Sequence, residues 1–257
     1  MLSDYMEKEI DLEQITQLYK EGDHAIYWLG IDDETAFRCN VYLIRDAQNY
    51  LIVDPGSRSY FKQIYSRVSQ ITDPLNVTGL IICHQDPDVA ASMIDWLEVN
   101  PDLTICSSTR TNVLLPHYGK SDYNFYNISE NPTFVFESGR ELQFIEAPFL
   151  HFPGAFTTYD PVSKFLFSGD IFAALDTSWK LIVKDFEAHR MNLDLFHVDY
   201  MASNVAARGF VRKLEGIAIE AILPQHGSII TKKDVDAALD YLNNLQCGID
   251  LIYSDLV

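Results

Sequence analysis

Four apolar segments of this sequence each end in a histidine or an aspartate, and any fold for the chain has to accommodate that repeated ending. Residues 78–83 are the first such segment. Apolar runs rich in β-branched residues favour buried strands. The pattern therefore predicts four strands whose ends each supply a potential metal ligand. The side chains that follow these strands are His84, Asp86, Asp88, His151, Asp170 and His226.

The size and charge of the chain limit its partners. It has 257 residues, of which 47% are apolar, and this is enough to bury a substantial core. Nineteen basic and 37 acidic residues give a net charge of -18. A charge of this sign repels phosphate backbones and anionic lipid surfaces. We therefore expect no nucleic acid and no membrane among its partners.

The cysteines and the first residues indicate a cellular compartment. The four cysteines are far apart and form no C-x-x-C pair, so we expect reduced core thiols. The first residues are acidic where a signal peptide would be basic, and no apolar run approaches the roughly 20 residues needed to cross a bilayer. These features predict a soluble cytoplasmic protein.

The chain shows no repeat, low-complexity tract or flexible linker, which predicts a single domain over residues 1–257. Residues 1–21 are predicted to form a helical extension, because their apolar residues recur at helical spacing. Residues 231–257 are predicted to contain a closing C-terminal helix that begins after the cap residue Thr231.

The segments between these ends alternate in character. Three strands are predicted over residues 24–54, and strand, helix and strand alternate over residues 58–116. Strands and turns dominate residues 123–170, and residues 192–214 have a helical pattern. Two sheets that face each other with helices outside would satisfy this order, so we predict an α/β fold.

The segment after residue 83 has an ordinary explanation as well as a functional one. Asp86 precedes Pro87 and is suited to cap a helix, and Asp88 would favour the positive end of that helix. Capping explains both aspartates but leaves His84 unexplained. The recurrence of the same residue types at three other strand ends favours a metal site.

Three histidines and three aspartates suit a divalent first-row metal that accepts imidazole nitrogen and carboxylate oxygen. Six ligands are too many for one tetrahedral zinc ion. Two metal ions about 3.5–4 Å apart can share one carboxylate. The sequence therefore predicts a dinuclear centre.

The spacing of these residues resembles the metallo-β-lactamase superfamily, in which H-x-H-x-D-H is followed by one histidine, one aspartate and one histidine at later strand ends. The resemblance covers residues 22 to about 230. It implies an αβ/βα four-layer sandwich with a dinuclear metal site at one edge of the sheets.

A carboxylate at Asp86 resembles the flavodiiron proteins, whose pattern is H-x-E-x-D-H, rather than the hydrolytic members with histidine there. An oxygen ligand stabilises higher iron charge states better than a third imidazole. The resemblance therefore implies two non-haem iron ions. It places His84, Asp86 and His151 on the first iron, Asp88 and His226 on the second, and Asp170 between them.

Two residues depart from the flavodiiron pattern. Val89 stands where the family has a further histidine ligand, so the second iron would keep three protein ligands and open positions. Asp86 is one methylene shorter than the family's glutamate. In addition, the chain ends without a flavin mononucleotide domain and shows no Gly-rich phosphate loop, so we expect no bound flavin.

This combination resembles stand-alone oxygen-binding di-iron proteins linked to chemotaxis-type signalling, and it implies a protein that binds O2 or NO, with a sensor role. A flavodiiron-type O2 or NO reductase served by a separate flavoprotein is the first alternative. The second is a dinuclear zinc hydrolase, and the third is a metal-free scaffold with an acidic surface. If the chain is an enzyme, the resemblance implies an oxidoreductase, and it makes a homodimer the common assembly.

Several residues near the predicted ligands are candidates to support them. Tyr159, His189, His197 and Tyr200 are expected to reach a bound oxygen species by hydrogen bond. Gln85 is expected to point away and pack. An apolar pocket is predicted around the phenylalanines near the ligands, which are Phe149, Phe152, Phe156 and Phe172.

Overall fold

The structure is a computed structural model, and it describes residues 2–5, 10–32, 38–176 and 180–256. Two β-sheets form its centre. The first sheet has seven strands, which lie side by side in chain order: β1 (Thr16–Glu21), β2 (His24–Asp32), β3 (Cys39–Asp46), β4 (Asn49–Val53), β5 (Val77–Ile81), β6 (Thr104–Ser107) and β7 (Asn124–Asn127).

The second sheet has six strands, whose spatial order is β13, β12, β11, β10, β9, β8. Strands β4 to β7 of the first sheet run parallel, as do β11 and β12 of the second. The strands of the second sheet are β8 (Thr133–Val135), β9 (Glu141–Glu146), β10 (Phe156–Asp160), β11 (Phe165–Gly169), β12 (Ala221–Pro224) and β13 (Ile230–Thr231).

Helices cover the outer faces of both sheets. They are α1 (Phe61–Val68), α2 (Pro87–Ala90), α3 (Met93–Val99), α4 (Thr109–Asn112), α5 (Phe186–Tyr200), α6 (Asn204–Lys213), α7 (Lys232–Asn244) and α8 (Ile249–Ile252). Short 3-10 turns add Leu2–Tyr5, Arg58–Tyr60, Pro74–Asn76 and Leu115–Tyr118.

The alternation of side chains along the strands of the second sheet produces the four layers. In β11, Phe165 and Phe167 belong to the core shared with the first sheet, whereas Leu166 belongs to the core beneath the helices. Successive strand residues point to opposite faces of a sheet, so one strand serves both cores. Tyr42 of β3 meets Phe167 edge to face at 5.5 Å between ring centroids. The expected αβ/βα sandwich is confirmed.

The helix predicted over residues 1–21 is wrong for Thr16–Glu21, which form β1 and pair antiparallel with β2. A β-bulge between Gln17 and Tyr19 shifts the register of this pair. The bulge breaks the period of two that would have revealed a strand. Residues 6–9 of the predicted helix lie outside the described residues. The closing helix predicted after Thr231 is confirmed as α7.

Over the described ranges, none of the helices has the length and apolar character that crossing a bilayer requires. All four cysteines are buried as thiols, as the sequence predicts.

Candidate metal centre

The loop between β5 and α2 carries His84 and Asp86, and the first turn of α2 carries Asp88. Asp86 occupies the N-cap position of α2, but its side chain accepts no capping hydrogen bond. Its Oδ2 atom lies instead 3.3 Å from Nε2 of His151, which arrives from the other sheet. The capping explanation of Asp86 is therefore wrong, and the side chain faces the other predicted ligands.

Asp170 follows β11 and is the centre of a first group of side chains. Its Oδ2 atom lies 2.9 Å from Nε2 of His151 and 3.1 Å from Nε2 of His84. The ligand atoms of His84, Asp86, His151 and Asp170 all lie within 4.8 Å of one another. Two imidazoles and two carboxylates thus converge on one position.

A second group lies on the other side of the same carboxylate. Oδ1 of Asp170 lies 3.5 Å from Nε2 of His226, and this nitrogen lies 3.2 Å from Oδ2 of Asp88. Cys39, which the sequence did not predict, brings its Sγ atom to 3.7 Å from Oδ2 of Asp88. The structure thus brings all six predicted side chains together, in the two groups that the resemblance implies. Their binding of metal stays a prediction.

The polar atoms of the centre fit a cation. Oδ1 of Asp170 is buried and accepts no hydrogen bond from the described residues. Buried carboxylate oxygens without a donor are rare and call for an ion or another partner. The donor set of imidazole and carboxylate groups is the one that first-row divalent metals accept. These residues fit a pair of metal ions.

The ionisation of the side chains supports this fit. Burial alone would raise the pKa of Asp170, but the positive charge of His84 and the hydrogen bond from His151 hold that pKa well below its ordinary value. Burial lowers the pKa of His151, yet its hydrogen bonds to Asp170 and Asp86 outweigh burial and raise the pKa to about 9. Without a metal, imidazolium protons therefore supply the positive charge that the carboxylates require.

A cavity of about 240 Å³ opens beside both groups. Its wall is completed by Phe196 and Tyr200, whose rings stack at 4.6 Å between centroids. The ring of Phe196 also lies 5.9 Å from that of His151 and 6.2 Å from that of His226. Phe196 was not predicted from the sequence. Its spacing of four residues from Tyr200, on one face of α5, is the signal that could have found it.

Gln85 supports the ligands rather than pointing away, so that expectation is wrong. Its Nε2 donates to Oδ1 of Asp86 at 2.7 Å, which leaves Oδ2 of Asp86 directed at the histidines. The backbone carbonyl of Gln85 accepts a hydrogen bond from the hydroxyl of Tyr118 at 2.5 Å. Gln225 donates to the carbonyl of Asp88 at 3.1 Å. These bonds fix the loop on which the first ligands stand.

Of the four residues expected to reach a bound oxygen species, Tyr200 lines the cavity. The hydroxyl of Tyr159 donates to the carbonyl of Ala218. Nδ1 of His197 lies 2.9 Å from the carbonyl of Leu193, to which it donates, and its Nε2 accepts the backbone N–H of Phe172.

Burial lowers the pKa values of His189 and His197 to about 4. The expectation that these residues hydrogen-bond to a bound oxygen species is wrong for Tyr159 and His197, because their polar atoms bond elsewhere. His189 does not line the cavity. The four phenylalanines expected to form an apolar pocket, Phe149, Phe152, Phe156 and Phe172, also do not line the cavity. Phe149 is half exposed, and Phe156 and Phe172 are buried in the two cores.

The four-layer fold and the divided group of six side chains are those of a metallo-β-lactamase-type domain. A family described as the ODP family beta lactamase matches residues 37–227. The chain belongs to this family.

Two solved structures resemble the whole chain. One is described as the peroxy diiron species of chemotaxis sensor ODP; it is 32% identical, has a TM-score of 0.84, and the match covers 94% of this chain and 100% of that one. The other is the apo state of chemotaxis sensor ODP from T. denticola, with 32% identity and a TM-score of 0.81 over 95% and 99% of the two chains.

A curated relative is longer than this chain. The nitric oxide reductase of Moorella thermoacetica is 29% identical over 233 residues, which are 82% of this chain and 57% of the relative. A mutant flavo di-iron protein from Thermotoga maritima shares the fold with a TM-score of 0.78 at 23% identity over 89% and 61% of the two chains. The chain thus spans little more than half the length of these two proteins.

Proposed function

We propose that the chain binds two iron ions in this cavity and, through them, O2 or NO. The observation that carries the proposal is the shared carboxylate, because Asp170 turns one oxygen to each of two groups of imidazole and carboxylate donors. A pair of metal ions about 3.5–4 Å apart is held by side chains in this kind of arrangement. The relatives whose descriptions name a diiron species or a di-iron protein support iron as the metal.

The side chains have separate tasks in this proposal. His84, Asp86 and His151 hold the first iron, and Asp88 and His226 hold the second, with Asp170 between them. An iron pair with open positions supplies the redox chemistry and the binding positions that a diatomic gas requires.

The second iron keeps these open positions because of Val89. This residue is fully buried and apolar, and it stands where the flavodiiron pattern has a histidine. Asp88, His226 and the shared Asp170 would therefore hold the second iron, and its other positions would be open to solvent or to the gas.

Phe196 and Tyr200 form the apolar part of the cavity wall. Phe196 is buried and lies against the rings of His151 and His226, whereas Tyr200 is half exposed at the mouth of the cavity. The rest of the wall is made of predicted ligands, and the side chains of Asp86 and Asp88 are 33% and 35% exposed. A small gas can therefore reach the centre from solvent.

A sensor role is the finer part of the proposal. It is supported by the match to the chemotaxis sensor ODP, which extends over 94% of this chain and 100% of the other. A sensor requires a signalling partner. The second candidate is a reductase of O2 or NO, which is favoured by the similarity to the nitric oxide reductase of Moorella thermoacetica. A reductase requires a separate electron-donor protein.

The test begins with protein isolated without oxygen. Metal analysis is expected to find about two iron ions per chain, and a visible absorption band is expected to appear on exposure to air. Two zinc ions and no change of spectrum would overturn the proposal in favour of a dinuclear zinc hydrolase.

The sensor and the reductase are separated by turnover. With NADH and a flavoprotein donor present, a sensor binds about one O2 per iron pair and then stops. A reductase consumes O2 or NO continuously. The control is a His84→Ala, Asp170→Ala double variant, which is expected to show neither the absorption band nor gas consumption.

A further inference from the structure

Two of the three predicted histidine ligands turn their outer ring nitrogen towards a cysteine. Nδ1 of His84 lies 3.0 Å from Sγ of Cys83, and Nδ1 of His226 lies 3.8 Å from Sγ of Cys39. In both rings the other nitrogen, Nε2, faces the carboxylate of Asp170. Each of the two groups of ligands therefore has one sulfur atom behind one imidazole.

This arrangement differs from the usual support of a metal-binding histidine. A histidine that binds metal through one nitrogen almost always donates its other N–H to a carboxylate, a backbone carbonyl or water. Cys83 and Cys39 are 4% and 1% exposed, so water does not reach these sulfur atoms. Both sulfur atoms lie within the distance at which a thiol can accept a hydrogen bond from the outer nitrogen of the histidine beside it.

The position of Cys83 is built by its neighbours. Its backbone N–H donates to Oδ1 of the buried Asp54 at 3.0 Å. Gly169, directly before Asp170, has a φ of +58°, and a Cβ atom there would lie 2.7 Å from Sγ of Cys83. A glycine at this point accepts the left-handed backbone and leaves room for the sulfur.

Cys39 connects the two side chains of the second group. Its backbone forms a β-bridge with His226, which sets the two side chains beside each other. Its Sγ lies 3.7 Å from Oδ2 of Asp88, so the thiol can donate to Asp88 while it accepts from His226. Oδ1 of Asp170, which is buried and accepts no hydrogen bond from the described residues, points into the same group.

We propose that Cys83 and Cys39 are positioning residues of the metal pair, one for each ion, whose sulfur atoms receive the outer N–H groups of His84 and His226. This inference rests on the metal binding proposed above. Sulfur is a weak hydrogen-bond acceptor. The two imidazoles are therefore less basic than they would be with carboxylates behind them, and the metal ions keep more of their positive charge.

The experiment uses the full chain with cobalt(II) in place of iron, because cobalt reports on its ligands without air oxidation. Replacing the outer partner of a histidine ligand typically lowers metal affinity about 10–100-fold. We expect Cys83→Ala and Cys39→Ala each to lower the affinity for one of two cobalt ions by about 10-fold, the lower end of this range, because sulfur is a weak acceptor. Cys83→Ser is expected to restore part of the loss, because a hydroxyl oxygen also accepts the N–H.

The matched control is Cys106→Ala. Cys106 is as deeply buried, in β6, and belongs to neither group of side chains. Its replacement is expected to leave both cobalt affinities within about twofold of the original, even if the core loses stability from the cavity.

Proton NMR of the cobalt protein supplies a readout that a purely structural role would not move. The N–H protons of His84 and His226 are expected as shifted signals that exchange slowly with solvent. Cys83→Ala is expected to move or lose the first, and Cys39→Ala the second. Cysteine variants that match Cys106→Ala in affinity and signals would overturn the inference.

Three outcomes count against it. A sulfur-to-cobalt charge-transfer band that disappears in Cys39→Ala would show that Cys39 binds the metal directly. If two cobalt ions bind and their NMR signals change in neither variant, the role of the cysteines is rejected and the proposed function stands. A chain that takes up no cobalt would overturn both.

Discussion

At the scale of single residues, Asp170 is the connection on which the centre depends. One of its oxygens lies among His84 and His151, and the other faces His226. Removing a side chain that belongs to both groups should affect both metal ions, whereas removing a side chain of one group should affect mainly one ion. The two kinds of ligand are therefore distinguishable by substitution.

Asp170→Ala is expected to lose both metal ions, because it removes the group they share. His226→Ala is expected to lose mainly the second ion and to retain about one iron per chain. Iron analysis of anaerobically isolated protein measures the difference. Asp199→Ala, an exposed change on α5, is the control and should keep both ions. Equal losses from the two ligand variants would contradict the division into two groups.

Tyr118 tests the support of the loop that carries the first ligands. Tyr118→Phe removes the hydrogen bond to the carbonyl of Gln85. The bond is partly buried, so leaving its acceptor unpaired is expected to cost about 1 kcal/mol, the lower end of the range for buried groups. We expect a lower free energy of unfolding and a metal release to chelator that is about 10-fold faster, because Asp86 and Asp88 lose their fixed positions.

The control for this variant is Tyr123→Phe. The hydroxyl of Tyr123 donates to Asn112 at 2.8 Å, away from the predicted ligands. This change is expected to alter stability without altering metal release. Equal release rates from the two variants would show that Tyr118 does not hold the ligand loop.

The sequence was informative about the six predicted ligands because each stands at the end of an apolar strand, and the order of strands fixes where such ends meet. It did not reveal Phe196 or Cys39. The spacing of Phe196 and Tyr200 places them on one face of α5, but the packing of α5 decides that this face meets the cavity. Cys39 of β3 meets His226 through an isolated β-bridge to the segment that follows β12. Contacts of this kind depend on tertiary structure, which local patterns do not contain.

At the scale of elements, strands β2, β3 and β10 are joined by a buried ionic cluster. Nδ1 of His24 lies 3.0 Å from Asp46, and its Nε2 lies 2.9 Å from Asp160. All three side chains are fully buried. Because β10 belongs to the second sheet and the other two strands to the first, the cluster ties the sheets together.

This cluster predicts a pH dependence of stability. Burial lowers the pKa of His24, but the bonds to Asp160 and Asp46 outweigh it and raise the pKa above 6.5. The contribution of a protonated His24 is therefore complete below pH 6.5 and is lost as the pH rises through the raised value. Burial raises the pKa of Asp160, but the bond to His24 outweighs this and lowers it below 3.8, so its contribution is lost only in stronger acid.

His24→Ala is expected to lower the free energy of unfolding by about 3–5 kcal/mol, because it leaves the buried Asp160 without its cationic partner. The loss should be largest between about pH 4 and pH 6.5 and should shrink at higher pH. Urea unfolding at several pH values measures it, with the exposed His117→Ala as the control. A loss that does not change with pH would show that His24 is not protonated in the fold.

The sequence predicted the type of each element better than the residues at which it begins and ends. The helical pattern over residues 192–214 is two helices, because α5 ends at Tyr200 and Ser203 caps α6 by accepting the N–H of Ala206. Residues 123–170, which were predicted to contain strands and turns, include β8 to β11 of the second sheet, whereas the two-residue strand β13 was not predicted. Strand β1 was mistaken for a helix because a bulge removed its alternation. The spacing of apolar residues predicts a strand correctly where strand pairing is regular, and it misleads where a bulge interrupts the pairing.

At the scale of the whole molecule, bound metal is expected to stabilise the fold. A ligand that binds only the folded chain adds RT ln(1 + [L]/Kd), which is about 4 kcal/mol at a free concentration 1,000 times Kd. For a chain of this size that corresponds to roughly 8–16 °C in Tm.

Anaerobic calorimetry before and after treatment with a chelator measures this difference. The Asp170→Ala variant is the control, since it should show no shift on chelation. An unchanged Tm in the original protein would contradict a metal pair that both sheets help to hold.

Three of the six predicted ligands follow a strand of the seven-stranded sheet, and three follow strands of the six-stranded sheet. The ions would thus sit on a seam rather than within one layer. When the charge on such a seam changes, we expect the two sheets to shift slightly against each other, because packed elements respond by small sliding movements. We expect binding of the gas to displace α5 slightly. This helix lies on the outer surface, where another protein can detect the change.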